Sequence, residues 1–122
     1  MTTIDLYSNY IGEIEIIFLE KNNLGNTIFK VELYYGNFTS LMGHIPIPTN
    51  MHSDSVFYNW FKCIGFYDDE IWECKRVQEF YDQLLAISNL TNESGLAETL
   101  DALKQICHST LQNGNSLFIE YL

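Results

Sequence analysis

The chain has 122 residues, of which 47% are hydrophobic and 15% aromatic, and its 16 acidic against 6 basic residues give a formal net charge of -10. A chain of this length forms one hydrophobic core, so we predict a single domain over residues 1 to 122. The negative charge argues against direct binding to nucleic acid or to an anionic membrane and favours a basic protein partner.

No segment of the sequence indicates export. The N-terminal residues, Met1 to Leu6, lack the basic and long apolar regions of a secretory signal, and no apolar run reaches the length of a membrane span. We therefore expect a cytoplasmic protein. Its cysteines, Cys63, Cys74 and Cys107, match no disulfide framework or zinc motif, so we interpret them as reduced, small core side chains.

Three segments alternate between apolar and polar side chains and are predicted to be strands. Residues 11 to 20 and 27 to 35 flank a turn-rich segment and predict an antiparallel hairpin. Residues 116 to 121 predict a last strand that returns to the same sheet. The acidic residues expected on the polar strand face are Glu13, Glu15, Glu32 and Glu120.

The segment from Gly36 to Ser53 shows no regular period. Pro46 and Pro48 exclude a regular helix around them, and residues 38 to 42 fit either a loop or a further strand. A loop of this length inside a compact domain is typical of a functional segment or of an element that the pattern does not reveal.

Three helices are predicted in the second half of the chain. Asp54 has the residue type of an N-cap for a helix over residues 54 to 64. Residues 69 to 88 follow an acidic start with a helical apolar stripe, and residues 94 to 111 carry another one. A polar break at residues 89 to 92 separates these two helices.

These elements predict an α+β fold, in which a mainly antiparallel sheet packs one face against about three helices. The core is expected to take its apolar side chains from both strands and helices. The expected core residues are Ile16, Phe18, Val31, Leu33, Trp60, Val77, Leu84, Leu100 and Leu103.

The sequence contains no recognisable constellation for catalysis, a cofactor or a metal ion. His44 and His52 match no spacing of metal ligands, and Cys107 and His108 point about 100° apart on a helix, so they cannot pair with each other. The glycines form no phosphate-binding loop. We therefore predict a protein that is not an enzyme and has no cofactor. A small enzyme that uses the 36 to 53 loop is the least favoured alternative.

An acidic run at the start of the second predicted helix has three interpretations, of which coordination of a hard cation is the least favoured, because the run lacks the glycine and the acid spacing of a calcium loop. Its carboxylates stabilise the positive end of a helix dipole, or they attract a basic partner while neighbouring rings anchor the interface. Acidic and aromatic side chains together predict a partner-binding surface. Its predicted residues are Asp68, Asp69, Glu70, Glu73, Trp72, Tyr67, Glu13, Glu15 and Glu32.

A small acidic domain that is rich in Tyr and Trp and has no active-site motif resembles the immunity proteins of bacterial contact-dependent inhibition and polymorphic toxin systems. The resemblance is one of overall character along the whole chain, and it assigns no residue a role. It implies that the protein binds a cognate toxin domain, often a basic nuclease, and blocks its active site or substrate groove. The alternative is an acidic inhibitor that imitates nucleic acid toward a DNA- or RNA-binding protein.

Overall fold

The computed structural model describes residues 1–88, 90 and 95–122. The strands are β1 (Thr2–Leu6), β2 (Glu15–Lys21), β3 (Thr27–Tyr34), β4 (Trp72–Cys74) and β5 (Ser116–Tyr121). The helices are α1 (Tyr35–Met42), α2 (Val56–Lys62), α3 (Val77–Leu85) and α4 (Leu96–Asn113). Short 3₁₀ turns lie at Ser8–Tyr10 and Gly65–Tyr67.

The five strands form one mixed sheet in the order β1-β3-β2-β5-β4. β2 pairs antiparallel with β3 and β5, and β5 pairs antiparallel with β4, whereas β1 runs parallel to β3. The predicted α+β class and the antiparallel hairpin are therefore confirmed. The prediction missed β1 and β4, and the parallel pairing of β1 makes the sheet mixed.

The strand register places one set of apolar side chains on a single face of the sheet. Ile16 lies opposite Leu33, and Phe18 lies between Val31 and Ile119. All five side chains are completely buried. Because side chains of a strand alternate between its two faces, these residues define the inner face of the sheet.

Helices cover this inner face. α1 and α4 contact the central strands, and α3 packs against α4. The ring of Phe38 on α1 lies 5.7 Å from that of Phe18, and the ring of Phe80 on α3 lies 6.1 Å from it. The core is thus a layer between the sheet and these helices, and α2 joins it through contacts with α1.

Most of the predicted core is buried as expected. Trp60 and Val77 are the exceptions, since both are only partly buried where they pack against the core. Cys74 and Cys107 are buried, but Cys63 is exposed, so its interpretation as a core side chain was wrong. The predicted core residues that are buried are Ile16, Phe18, Val31, Leu33, Leu84, Leu100 and Leu103.

The predicted helix over residues 69 to 88 is wrong in its first part. Residues 68–70 form a bend, Trp72–Cys74 forms β4, and the helix begins only at Val77. Asp69 has a φ of 61°, which does not fit a right-handed helix. A strand of three residues is too short to display its own period, so the spacing of apolar residues suggested a helix there.

The loop predicted from Gly36 to Ser53 begins later than expected. Residues 38–42, assigned to a loop or a strand, belong to α1. Its buried residues Phe38, Leu41 and Met42 have the spacing of one helix face. Burial against the sheet overrides the weak helix propensity of Gly36 and Asn37.

The remaining elements differ from prediction mainly at their ends. The strand predicted over residues 11 to 20 begins at Glu15, and the helix predicted over residues 54 to 64 spans Val56–Lys62. Ser55 caps this helix in place of Asp54, because its hydroxyl accepts a hydrogen bond of 3.0 Å from the Tyr58 amide. The last predicted helix corresponds to α4. Residue 94 and residues 89, 91 and 92 of the predicted break lie outside the described residues.

Candidate functional site

The sheet has a second face, opposite Phe18, which we call the outer face. The alternation of each strand determines which side chains lie on it. In β2 they are Glu15, Ile17 and Leu19, and the register adds residues from the flanking strands. Those added residues are Asp5, Lys30, Glu32, Tyr34, Glu73, Phe118 and Glu120.

An apolar centre lies beneath charged neighbours on the outer face. Ile17 lies between Glu32 and Glu120 in the register, and it is only 7% exposed. Leu19 lies in the next row between Lys30 and Phe118 and is 9% exposed. Long side chains of adjacent strands cover such residues with their apolar stems while the charged ends stay near water. The outer face therefore presents charges around a small apolar centre.

The acids of the outer face crowd one another. Burial, and then the negative charge of Glu32, raises the pKa of the Glu15 carboxyl above its ordinary value. Lys30 opposes this shift, and its ammonium nitrogen lies 3.8 Å from Oε2 of Glu32. The net direction is upward, and burial of the Glu15 carboxyl is its largest cause.

β4 connects the acidic run to this face. Glu73 pairs with Phe118 of β5, which brings its exposed carboxylate to the outer face. Asp68, Asp69 and Glu70 form an exposed bend just before the strand. Through the pairing of β4 with β5, Glu73 joins the face that carries Glu120 of β5 and the acids of the hairpin.

The other predicted partner-binding residues do not lie on this face. Trp72 pairs with the buried Ile119 and lies on the inner side of the sheet. The hydroxyl of Tyr67 forms a hydrogen bond of 2.6 Å with that of Tyr35. Both rings are partly buried at the edge of the core, while Glu13 is exposed before β2 and its carbonyl accepts a hydrogen bond from Tyr7.

Two rings on the outer face were not among the predicted partner-binding residues. Tyr34 stacks on Tyr10 with ring centroids 4.3 Å apart, and the ammonium of Lys21 lies 5.2 Å from the ring centroid of Phe118. The alternation of the strands indicates the position of both rings. Tyr34 lies two residues after Glu32 and Phe118 lies two residues before Glu120, so each ring shares a strand face with an acid. These rings lie beside the acids of the outer face, whereas Tyr67 and Trp72 do not.

Comparison of the chain with protein-family models, with curated proteins and with solved structures found no match in any of the three. No relative therefore assigns a role to any residue of this protein.

The cysteines and histidines lie in separate environments. Burial raises the pKa of the Cys74 thiol to about 12 and also raises that of Cys107, which keeps both thiols protonated at neutral pH. Nδ1 of His44 lies 3.0 Å from the carbonyl oxygen of Ser40, and His52 is exposed. Within residues 1–88, 90 and 95–122, no group of three or more His, Cys, Asp or Glu is placed to hold a metal ion.

The longest helix is amphipathic and not a membrane span. α4 is buried on one side through residues such as Leu103 and Ile106, and it carries exposed acids such as Glu98 and Asp101 on the other. Among the described residues, no helix combines the length and the apolar character needed to cross a membrane.

Proposed function

We propose that this protein binds and neutralises a basic protein, in the manner of an immunity protein that blocks its cognate toxin domain. The observation that carries the proposal is the crowding of Glu15 and Glu32 on the outer face. Besides burial, the charge of Glu32 raises the pKa of the Glu15 carboxyl, so the two ionised side chains repel each other. Lysine or arginine side chains of a partner would offset this charge on binding.

The arrangement of the outer face suits such an interface. Protein interfaces place apolar and aromatic groups at the centre and polar groups at the rim. Ile17 and Phe118 lie among the carboxylates of Glu32, Glu73 and Glu120 in the strand register. The charges accelerate association with a basic surface, and the partly exposed ring of Phe118 supplies contact area that slows dissociation.

A nuclease domain is the favoured class of partner. Its substrate groove binds phosphates through basic side chains, so a surface of carboxylates can occupy the same groove. On the outer face, Ile17, Leu19 and Lys30 lie between the acids. A general mimic of nucleic acid requires a continuous line of negative charge. This pattern favours recognition of one protein partner over general imitation of a nucleic acid.

A capture experiment in lysate from the native cell tests this function. The wild-type protein is immobilised beside a variant with Glu15→Gln, Glu32→Gln and Glu73→Gln, and captured proteins are identified and assayed for nuclease activity. The matched control changes Glu98→Gln and Asp101→Asn on α4, where both acids are exposed away from the sheet.

The wild type and the α4 control should retain a basic protein and inhibit its activity, and the outer-face variant should lose both effects. Two results would overturn the proposal. One is that no basic protein is retained by the wild type, and the other is that the outer-face variant retains and inhibits it as well as the control does.

A further inference from the structure

A groove of about 520 Å³ lies on the helix side of the molecule, between α3 and the segment that follows α1. This volume falls within the range of sites that bind small ligands or single side chains with their backbone. Apolar side chains from both walls line it, and α3 supplies the polar ones. The apolar residues are Ile45, Pro46, Pro48 and Ala86.

The polar residues of α3 that line this groove, Gln78, Glu79, Asp82 and Gln83, include two acids and an amide oxygen without a donor. Oε1 of Gln83 is buried and has no hydrogen-bond donor, and it is the one buried side-chain polar atom of this kind in the described chain. The carboxylate of Asp82 accepts a hydrogen bond of 2.9 Å from Gln78, a neutral amide that leaves its charge uncompensated. Glu79 differs, because it is paired with Arg76 at 3.5 Å.

We infer that this groove receives an arginine side chain of a partner protein. A guanidinium carries five N–H donors and no acceptor, which complements the Asp82 carboxylate and the Gln83 amide oxygen. It is planar and weakly hydrated, so its faces and its methylene stem pack against apolar walls such as Pro46. The ammonium of lysine is a strongly hydrated point charge and fits such a groove less well.

For Oε1 of Gln83 to accept a hydrogen bond from the guanidinium, the amide has to turn toward the groove. Its Oε1 is buried while the residue as a whole is partly exposed. The terminal torsion of glutamine has a broad, roughly two-fold profile, so the torsion itself does not oppose this rotation. Binding of an N–H donor then gives the oxygen the partner that it lacks in the free protein.

This inference goes beyond the proposed function, because the groove and the outer face lie on opposite sides of the sheet. The test uses small probes and the full-length protein, so it requires no identified partner. Amide chemical shifts of the ¹⁵N-labelled protein are followed during titration with N-acetyl-L-arginine methylamide. The corresponding lysine and norleucine compounds separate recognition of a guanidinium from attraction of any cation and from burial of any apolar chain.

The arginine compound should produce saturable shifts at Ile45, Ile47 and residues 78–86, with a dissociation constant on the order of 1 mM for a single side chain. The lysine compound should bind at least about threefold more weakly, and the norleucine compound should not saturate. Asp82→Asn should weaken arginine binding about threefold or more, and Ala86→Phe should abolish it by filling the groove. Glu98→Gln on α4 serves as the control and should bind normally.

The inference is overturned if the lysine compound binds as tightly as the arginine compound. It is also overturned if the shifts concentrate at outer-face residues such as Glu32 and Glu73, or if the wild type shows no saturation. Since these readouts use the wild-type protein, they stand even if a variant fails to fold.

Discussion

Ser109 on α4 donates a hydrogen bond of 2.6 Å to Oε1 of Glu20 on β2, across 89 positions of the chain. Glu20 is completely buried. Asn115 and Asn113 donate to its other oxygen at 2.7 and 3.2 Å. A buried carboxylate is tolerated when donors satisfy it, and here those donors connect the end of α4 and the start of β5 to the central strand.

Removal of this carboxylate should destabilise the fold. Glu20→Ala leaves the donors of Ser109, Asn113 and Asn115 without their acceptor, so the free energy of unfolding should fall by about 2 kcal/mol. Urea denaturation followed by circular dichroism measures the loss. Glu98→Gln, an exposed change on α4, should stay within about 0.5 kcal/mol of the wild type. An equal effect of the two changes would contradict a structural role for Glu20.

The free energy of unfolding should depend on pH through the carboxyl group of Glu15. Its pKa is higher in the folded protein than its ordinary value, so its protonated form favours folding and its ionised form opposes folding. The contribution to stability is present below the ordinary glutamate pKa of about 4.3 and is lost as pH rises through the raised value. At neutral pH the carboxylate is therefore a net cost.

Glu15→Gln should raise the free energy of unfolding at pH 7 by roughly a few tenths of a kcal/mol, because it removes a partly buried negative charge that lies diagonally across from Glu32. The gain should disappear at about pH 3.5, where the wild-type carboxyl is protonated as well. Denaturant unfolding at both pH values measures it. Glu13→Gln, in the exposed segment before β2, should give no such pH-dependent difference. A gain of equal size at both pH values would show that charge is not its cause.

Ionisation of Tyr67, whose hydroxyl is hydrogen-bonded to that of Tyr35, should lower the free energy of unfolding at high pH. Burial, followed by the hydrogen bond with Tyr35, raises the pKa of Tyr67 well above its ordinary value. Because the folded-state pKa is raised, this contribution is complete below about pH 10 and is lost as pH rises further. Tyr67→Phe should cost about 1 kcal/mol at pH 7 through the lost hydrogen bond, and it should reduce the fall in stability above about pH 10.

Alkaline titration of tyrosine absorbance provides the measurement. In the wild type, one tyrosine should ionise only together with unfolding, and Tyr67→Phe should remove that late step. Tyr58→Phe, on the partly exposed face of α2, is the control and should leave the step in place. Gradual ionisation of all tyrosines before unfolding would contradict the prediction.

Sequence periodicity was enough to predict the elements that carry a long pattern. β2, β3, β5 and α4 each show their period over six or more residues, and all four were predicted. β1 spans 5 residues and β4 spans 3, which is too short for a clear period, and each pairs with a strand distant in sequence. Helix α1 contains Gly36 and Asn37 and depends on burial of Phe38 against the sheet.

The candidate site was predictable to the extent that it depends on strand alternation. A period of two alone places Glu15, Glu32 and Glu120 on one face. The addition of Glu73 requires the pairing of β4 with β5, a long-range contact that the sequence does not reveal. The same pairing turns Trp72 inward, which explains why this ring lies apart from the acids that neighbour it in sequence.

The rings on the two sides of the sheet should therefore respond differently to truncation. Phe118 is partly exposed on the outer face, so Phe118→Ala should raise the dissociation rate of the captured partner about tenfold, with little effect on the association rate. Trp72 packs 5.5 Å from Phe66 in the core, so Trp72→Ala should mainly destabilise the fold, by about 3 kcal/mol. Binding kinetics and denaturant unfolding, measured for both variants, separate these effects.

The negative charge of this protein should affect the association rate with a basic partner more than the dissociation rate. Exposed acids attract a basic partner over distances that salt screens beyond roughly 8 to 10 Å at physiological ionic strength. The association rate should therefore fall steeply between about 50 and 500 mM salt. Neutralising Asp68, Asp69, Glu70 and Glu73 together should slow association and flatten this salt dependence, while the dissociation rate changes less. Surface plasmon resonance measures both rates, and an association rate that does not depend on salt would rule out electrostatic attraction as the basis of recognition.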